Sequence, residues 1–289
     1  YSTEGFIDLN NSFFKSLGTN GRSCVTCHVP TEGWVITPKG VKARFEKTGG
    51  TDPVFRLVDG ANSPLADVST VAKRREVYSM LLNKANIRVG IGIPADAEFI
   101  LLAADDPYGF ASATELSLFR RPMPTTNLKF ISAVMWEGRE TTLDSSSSDC
   151  IFNTTTCFSP VSFDLSTQAN HATLGHAEAL ADLTEAERSE IVAFEMGLFT
   201  AQVQSKGAGN LTDNGAHGGP SALINQTYYF GINDTLVGDY RTREPFNPKV
   251  MSLYDTWHRY ITSNASDGLT LARAAIARGQ TLFNNKPIQ

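Results

Sequence analysis

Apolar residues recur at helical spacing in several short runs, separated by stretches with no period. Phe6, Leu9, Phe13, Phe14 and Leu17 share one such face, and Gly18 with Asn20-Gly21 stops it, so a short helix is expected near the start. From Trp34 to Ala66 the chain is rich in Gly, Pro and Asp and reads as loop wrapped over a core. Val68 to Leu82 reads as a helix with Ser69 or Thr70 as its cap. Ile87, Val89, Ile91 and Ile93 then alternate, and Pro94-Ala95-Asp96 divides them from Phe99 to Leu102, which predicts a small β-hairpin. Thr184-Glu185-Ala186-Glu187 has the form of a capping box. Behind it Ile191, Phe194, Met196, Leu198 and Phe199 supply a broad apolar face, the clearest helix in the chain. Gly207 to Pro220 reads as a glycine-rich loop and Leu269 to Phe283 as a last helix. The pattern predicts a mainly α protein with long loops and a hairpin insertion. Its main domain would span 1–206, and a C-terminal arm 207–289.

Charge and composition narrow the function classes. The 25 basic and 30 acidic residues leave a net charge of −5, and no basic patch suited to nucleic acid stands out. No stretch approaches the roughly 18 apolar residues of a membrane span. The chain opens at Tyr1-Ser2-Thr3, which reads as a processed mature end of a secreted protein. Four cysteines form two close pairs, Cys24/Cys27 and Cys150/Cys157. The second pair lies in a polar loop from Ser145 to Thr156 and reads as a local disulfide, worth about 2 to 3 kcal/mol by loop entropy. Two thiols in that loop remain the alternative.

The first pair belongs to Cys24-Val25-Thr26-Cys27-His28. Two thiols two residues apart, with a histidine directly after, can add both sulfurs to haem vinyl groups while the imidazole takes the iron. A zinc site would want a second such pair, and a thioredoxin-like pair a strand-helix setting; neither is present. One haem c is therefore expected on Cys24 and Cys27, with His28 as proximal ligand. Covalent haem and the disulfide together point to a periplasmic or extracellular, oxidising location. Among the sixth-ligand candidates, His176 comes first, because Gly175 beside it lets a flat cofactor approach. His171 faces another way on a helix, His217 reads as a loop residue and His258 as part of the arm. Met123, between two prolines, and Met135 are weaker choices; Met80, Met196 and Met251 read as core.

Arg121-Pro122-Met123-Pro124-Thr125, followed by Met135-Trp136-Glu137-Gly138-Arg139, resembles a signature of the bacterial di-haem cytochrome c peroxidases and MauG-like proteins. Glu137 stands where that family has aspartate. The resemblance implies a cytochrome-c-like helical domain. It also implies that Trp136 assists electron passage, that Arg139 pairs with a haem propionate, and that Gln168 and Glu178 match the family's distal glutamine and acid. A Ca2+ ion is a second cofactor it allows. The family normally carries two haems, and this sequence has one attachment motif. Gly279-Gln280-Thr281-Leu282-Phe283 is similar to the helix that introduces a haem domain there, and Asn284 to Gln289 reads as an extended segment leading on. A longer di-haem protein is thus expected.

Two functions follow from these features. One is an electron carrier with His28 and His176 on the iron, serving a redox partner protein. The other is a peroxidase-like enzyme with an open sixth site, in which Gln168 and Glu178 handle peroxide protons. The oligomeric state is left open by the sequence.

Overall fold

The computed structural model describes residues 1–151, 154–225, 238, 244–249 and 251–286. The helices are α1 (Pro38–Thr48), α2 (Val71–Val77), α3 (Ser79–Lys84), α4 (Val161–His176), α5 (Glu185–Met196), α6 (Pro220–Leu223) and α7 (Gly268–Asn285). The strands β1 (Ile87–Gly90) and β2 (Ser117–Arg120) form one antiparallel pair, and β3 (Gln204–Ser205) and β4 (Gly209–Asn210) another.

Helix makes up 36% of the structure and strand 8%, so the expected mainly α, cytochrome-c-like fold is corrected to a mixed, loop-dominated one. The reason is that side chains, rather than helical repeats, satisfy much of the loop backbone. Asp106 accepts from the amides of Tyr108, Phe110 and Ala111 at 2.9, 2.6 and 2.6 Å. Arg74 donates to the carbonyls of Gly49 and Val68. At the start, only a 3-10 turn, Ser12–Phe14, forms: Phe13 is fully buried, while Phe6 and Leu9 stay exposed and give a helix nothing to pack on.

Within the stretch expected as loop, α1 forms. Thr37 caps it by accepting from the Gly40 amide, Pro38 takes the first turn, and Gly49 ends it in the left-handed region. Val41 and Phe45, one turn apart, are its buried residues. The Val68–Leu82 helix is present as α2 and α3, broken at Tyr78, with Thr70 as cap. The hairpin partner is also corrected. β1 pairs with Ser117–Arg120 and the ladder continues through Ile91 N to Leu116 O, whereas Phe99, Ile100 and Leu102 are exposed. Arg88 on β1 is buried, its guanidinium donating to the Val58 carbonyl, so the strand does not alternate in and out.

The chain folds into two compact units, each assembled from separated stretches. One comprises 8–125 and 166–194. Its core joins Ile36, Val41, Phe45, Phe55, Tyr78, Leu81 and Ile87, and Cys27 and Val29 pack against it. The other comprises 1–7, 126–165 and 195–289. In it Trp257 is fully buried with Leu211, Ala216 and Ala277, so the glycine-rich loop is part of a small core. Trp257 Nε1 donates to the Asp213 carbonyl at 3.0 Å. Residues 287–289 of the expected extended end lie outside the described residues.

Candidate functional site

Residues 23–28 form one tight turn. The amides of Cys27 and His28 both donate to the Cys24 carbonyl, at 3.1 and 3.0 Å, and the Ser23 amide donates to Thr26 Oγ1. Arg44 Nη1 holds the turn from outside through the Thr26 carbonyl at 2.7 Å. Two thiols and an imidazole thus come from a single short segment whose backbone is closed on itself. Burial pushes the Cys27 thiol up to about 11, the reverse of the depressed value that a catalytic thiol pair needs.

The His28 ring lies beside Phe13, with centroids 6.2 Å apart, in an aromatic group that includes Trp34 and Phe194. The Trp34 carbonyl accepts from its Nδ1 at 3.1 Å. To present that carbonyl, the chain folds back from Val29 to Val35, and Trp34 adopts φ +63°. A left-handed conformation in a bulky residue costs about 1 to 3 kcal/mol and persists only where its surroundings enforce it. Here the indole is buried and its amide donates to the Val29 carbonyl at 2.9 Å. His28 keeps part of its surface open, yet the protein around it pushes its pKa down to about 4, an effect that the Trp34 bond opposes and nearby His176 reinforces. The imidazole is neutral near pH 7, the form that binds a metal. With Nδ1 occupied, Nε2 is the nitrogen that iron would take.

His176 ends α4. Its Nδ1 lies 2.6 Å from Asp59 Oδ2. Asp59 is 3% exposed and ion-paired to Arg22, itself 2% exposed, at 2.6 Å. Arg22 also donates to the carbonyls of Pro53, Val54 and His176. Burial pushes the Asp59 carboxyl up, but the His176 hydrogen bond and the Arg22 guanidinium outweigh it and hold Asp59 below the ordinary carboxylate range. The turn after His176 is clamped as well. Asn20 Nδ2 donates to the His176 carbonyl and to Glu178 Oε2, and the Thr19 amide donates to the Ala177 carbonyl. A Cβ on Gly18 would stand 1.9 Å from the Ala177 oxygen, so only glycine fits this crossing. Gly175 faces open space, with nothing within 4 Å of a Cβ placed there.

The unit that holds His28 thus also brings His176 to it. The Met123 backbone lies near the His28 ring. Gln168 is half-buried two turns before His176, about 12 Å along the helix axis. Glu178 is exposed, with φ +54°. His171, His217 and His258 are exposed, the last within 3.2 Å of Thr281 Oγ1. Trp136 and Arg139 belong to the other unit: Trp136 is 82% exposed, and Arg139 pairs with Glu137 at 3.2 Å. In the same unit a disulfide joins Cys150 and Cys157.

Sequence reading missed Asp59 and Arg22. Asp59-Gly60 looks like an ordinary turn, and Arg22 is hidden by the breaker residues around it. The available signal was an arginine two residues before Cys24, where a buried cation needs a carboxylate partner.

The residues present suit haem c: two thiols and a neutral imidazole in one turn, a second imidazole with Nδ1 already taken by an acceptor, and open space at Gly175. Among the described residues no group of three or more His, Cys, Asp and Glu side chains could hold a metal ion by itself. No helix among them is long and apolar enough to cross a membrane. Compared with known proteins, the chain matches no family model, no curated protein and no solved structure.

Proposed function

We propose that this chain is a c-type cytochrome that carries one haem c on Cys24 and Cys27, with His28 and His176 as axial ligands, and passes single electrons to a redox partner protein. The observation that carries this reading is the pair of oriented imidazoles, one held by the Trp34 carbonyl and one by Asp59. Bound haem c supplies a reversible one-electron couple. The residues of the chain do the rest. His28 and His176 would hold the iron, Phe13 with Trp34 against it covers one side of the His28 ring, and Cys27 ties the attachment turn to the core. Covalent haem and the disulfide suit a periplasmic or extracellular location.

The peroxidase-like alternative needs an open sixth site served by Gln168 and Glu178. Asn20 binds the Glu178 carboxylate at 2.8 Å, and Gln168 stands two turns away from His176, so the carrier reading is favoured. The test is the visible spectrum. Wild type should be low-spin, and His176→Ala should turn it high-spin and open it to cyanide, while His171→Ala leaves it unchanged. An unaltered spectrum in His176→Ala would remove His176 as a ligand.

A further inference from the structure

The two imidazoles are anchored unequally, and the difference is one of charge. His28 Nδ1 meets a neutral carbonyl at 3.1 Å, whereas His176 Nδ1 meets a carboxylate at 2.6 Å. We propose that Asp59 is a positioning residue which fixes the tautomer of His176 and raises its donor strength toward iron, biasing the centre toward the oxidised state. This inference rests on the assignment of His176 as an axial ligand.

Asp59 cannot drift from its task. Arg22 lies against both carboxylate oxygens, at 2.6 and 2.7 Å, and the Arg88 amide grips the Asp59 carbonyl at 2.6 Å. The remaining Arg22 donors end on the Pro53, Val54 and His176 carbonyls, so the guanidinium holds Asp59 and the end of α4 in one frame. Arg22 and Asp59 are buried while the His176 side chain is 39% exposed, so water is kept from the carboxylate end of the bond, where the charge sits and a charged hydrogen bond gains strength. A carboxylate accepting from Nδ1 draws the proton toward itself and gives Nε2 more imidazolate character. Greater basicity at Nε2 stabilises the more positive iron state over the less positive one. No bond forms or breaks in this: one electron arrives and one leaves, and the Nδ1 proton stays shared with Asp59.

The experiment compares wild type with Asp59→Asn, whose side-chain oxygen still accepts from Nδ1 but carries no charge. Loss of such an outer partner typically changes metal affinity tenfold or more. If the loss falls on the oxidised state, a tenfold change raises the midpoint potential by ~59 mV, with the low-spin spectrum retained. An unchanged potential in a low-spin, fully loaded Asp59→Asn protein overturns the inference while leaving the axial assignment intact. A His176→Ala spectrum identical to wild type overturns the assignment, and this inference with it. Should Asp59→Asn fail to fold, nitrogen-15 NMR of reduced wild type decides. A His176 Nδ1 proton protected from solvent exchange supports the inference, and a rapidly exchanging or absent one overturns it.

Discussion

Two segments of this chain carry chemistry-bearing residues, and the structure treats them in opposite ways. The turn from Cys24 to His28 is flanked by a dense polar network: Arg22 alone spans four acceptors, and Asn20 links the Arg56 guanidinium to the His176 backbone and the Glu178 carboxylate. Around Met135 to Arg139, Trp136 is 82% exposed and Arg139 pairs with its sequence neighbours Glu137 and Glu140. As sequence, the first is read from the spacing of its thiols and imidazole, and the second from its likeness to a family signature in which Glu137 replaces aspartate. The difference teaches that a motif read from its own chemistry, as CxxCH is, finds a built environment here, while one read by likeness to a family finds local contacts.

The contrast can be broken by mutation. The largest stability effect should come from Asp59→Ala, which leaves Arg22 buried without its carboxylate. Breaking a buried pair in this way costs about 3 to 5 kcal/mol. The same pair predicts a pH dependence. Because the folded Asp59 carboxyl sits below its unfolded value, its stabilisation is complete above the ordinary carboxylate range, about pH 4, and is lost as pH falls through the folded value. Denaturant unfolding at pH 7 and pH 3 should show a drop in wild type that Asp59→Asn lessens; equal drops would contradict the ion pair. A smaller loss is expected from Gly18→Ala, whose Cβ collides with the Ala177 carbonyl. Overpacking of this kind costs about 1 to 3 kcal/mol, read as a lower unfolding midpoint, and the low-spin spectrum should broaden as His176 is pushed. Smallest of all, Trp136→Ala and Arg139→Ala should each shift stability by no more than about 0.5 kcal/mol, as at an ordinary surface position. A loss above 2 kcal/mol from either would erase the contrast between the two segments.

Local signals were legible where the chain states its own boundaries. The Thr184 capping box forms with both of its bonds, and Thr70 caps α2. The Cys150–Cys157 disulfide was readable from two cysteines in one polar loop. Helix α1 carries the same kind of signal, Thr37-Pro38 at its start and Gly49 at its end, but its apolar residues are only Val41, Ala43 and Phe45, too few to show a helical period. The partner of β1 differs from the expected one because Phe99 to Leu102 is apolar yet exposed, while the four residues Ser117–Arg120, with only Leu118 and Phe119 apolar, pair without showing an alternation. The fold class failed for a related reason: pattern reading assigns loops no cohesion, and here arginine and aspartate side chains bind loop backbone directly. At the site, His28 and His176 were visible as chemistry, but Asp59 was not. A buried carboxylate is defined by partners 37 and 117 positions away, which no local window contains.

The most direct test of the central claim is the intact mass of the purified, denatured chain, paired with its pyridine haemochrome spectrum. One haem per chain that survives denaturation, and is lost in the Cys24→Ala/Cys27→Ala double variant, is the predicted result. A folded wild-type chain that matures in a haem-attaching host with no covalent haem would contradict it.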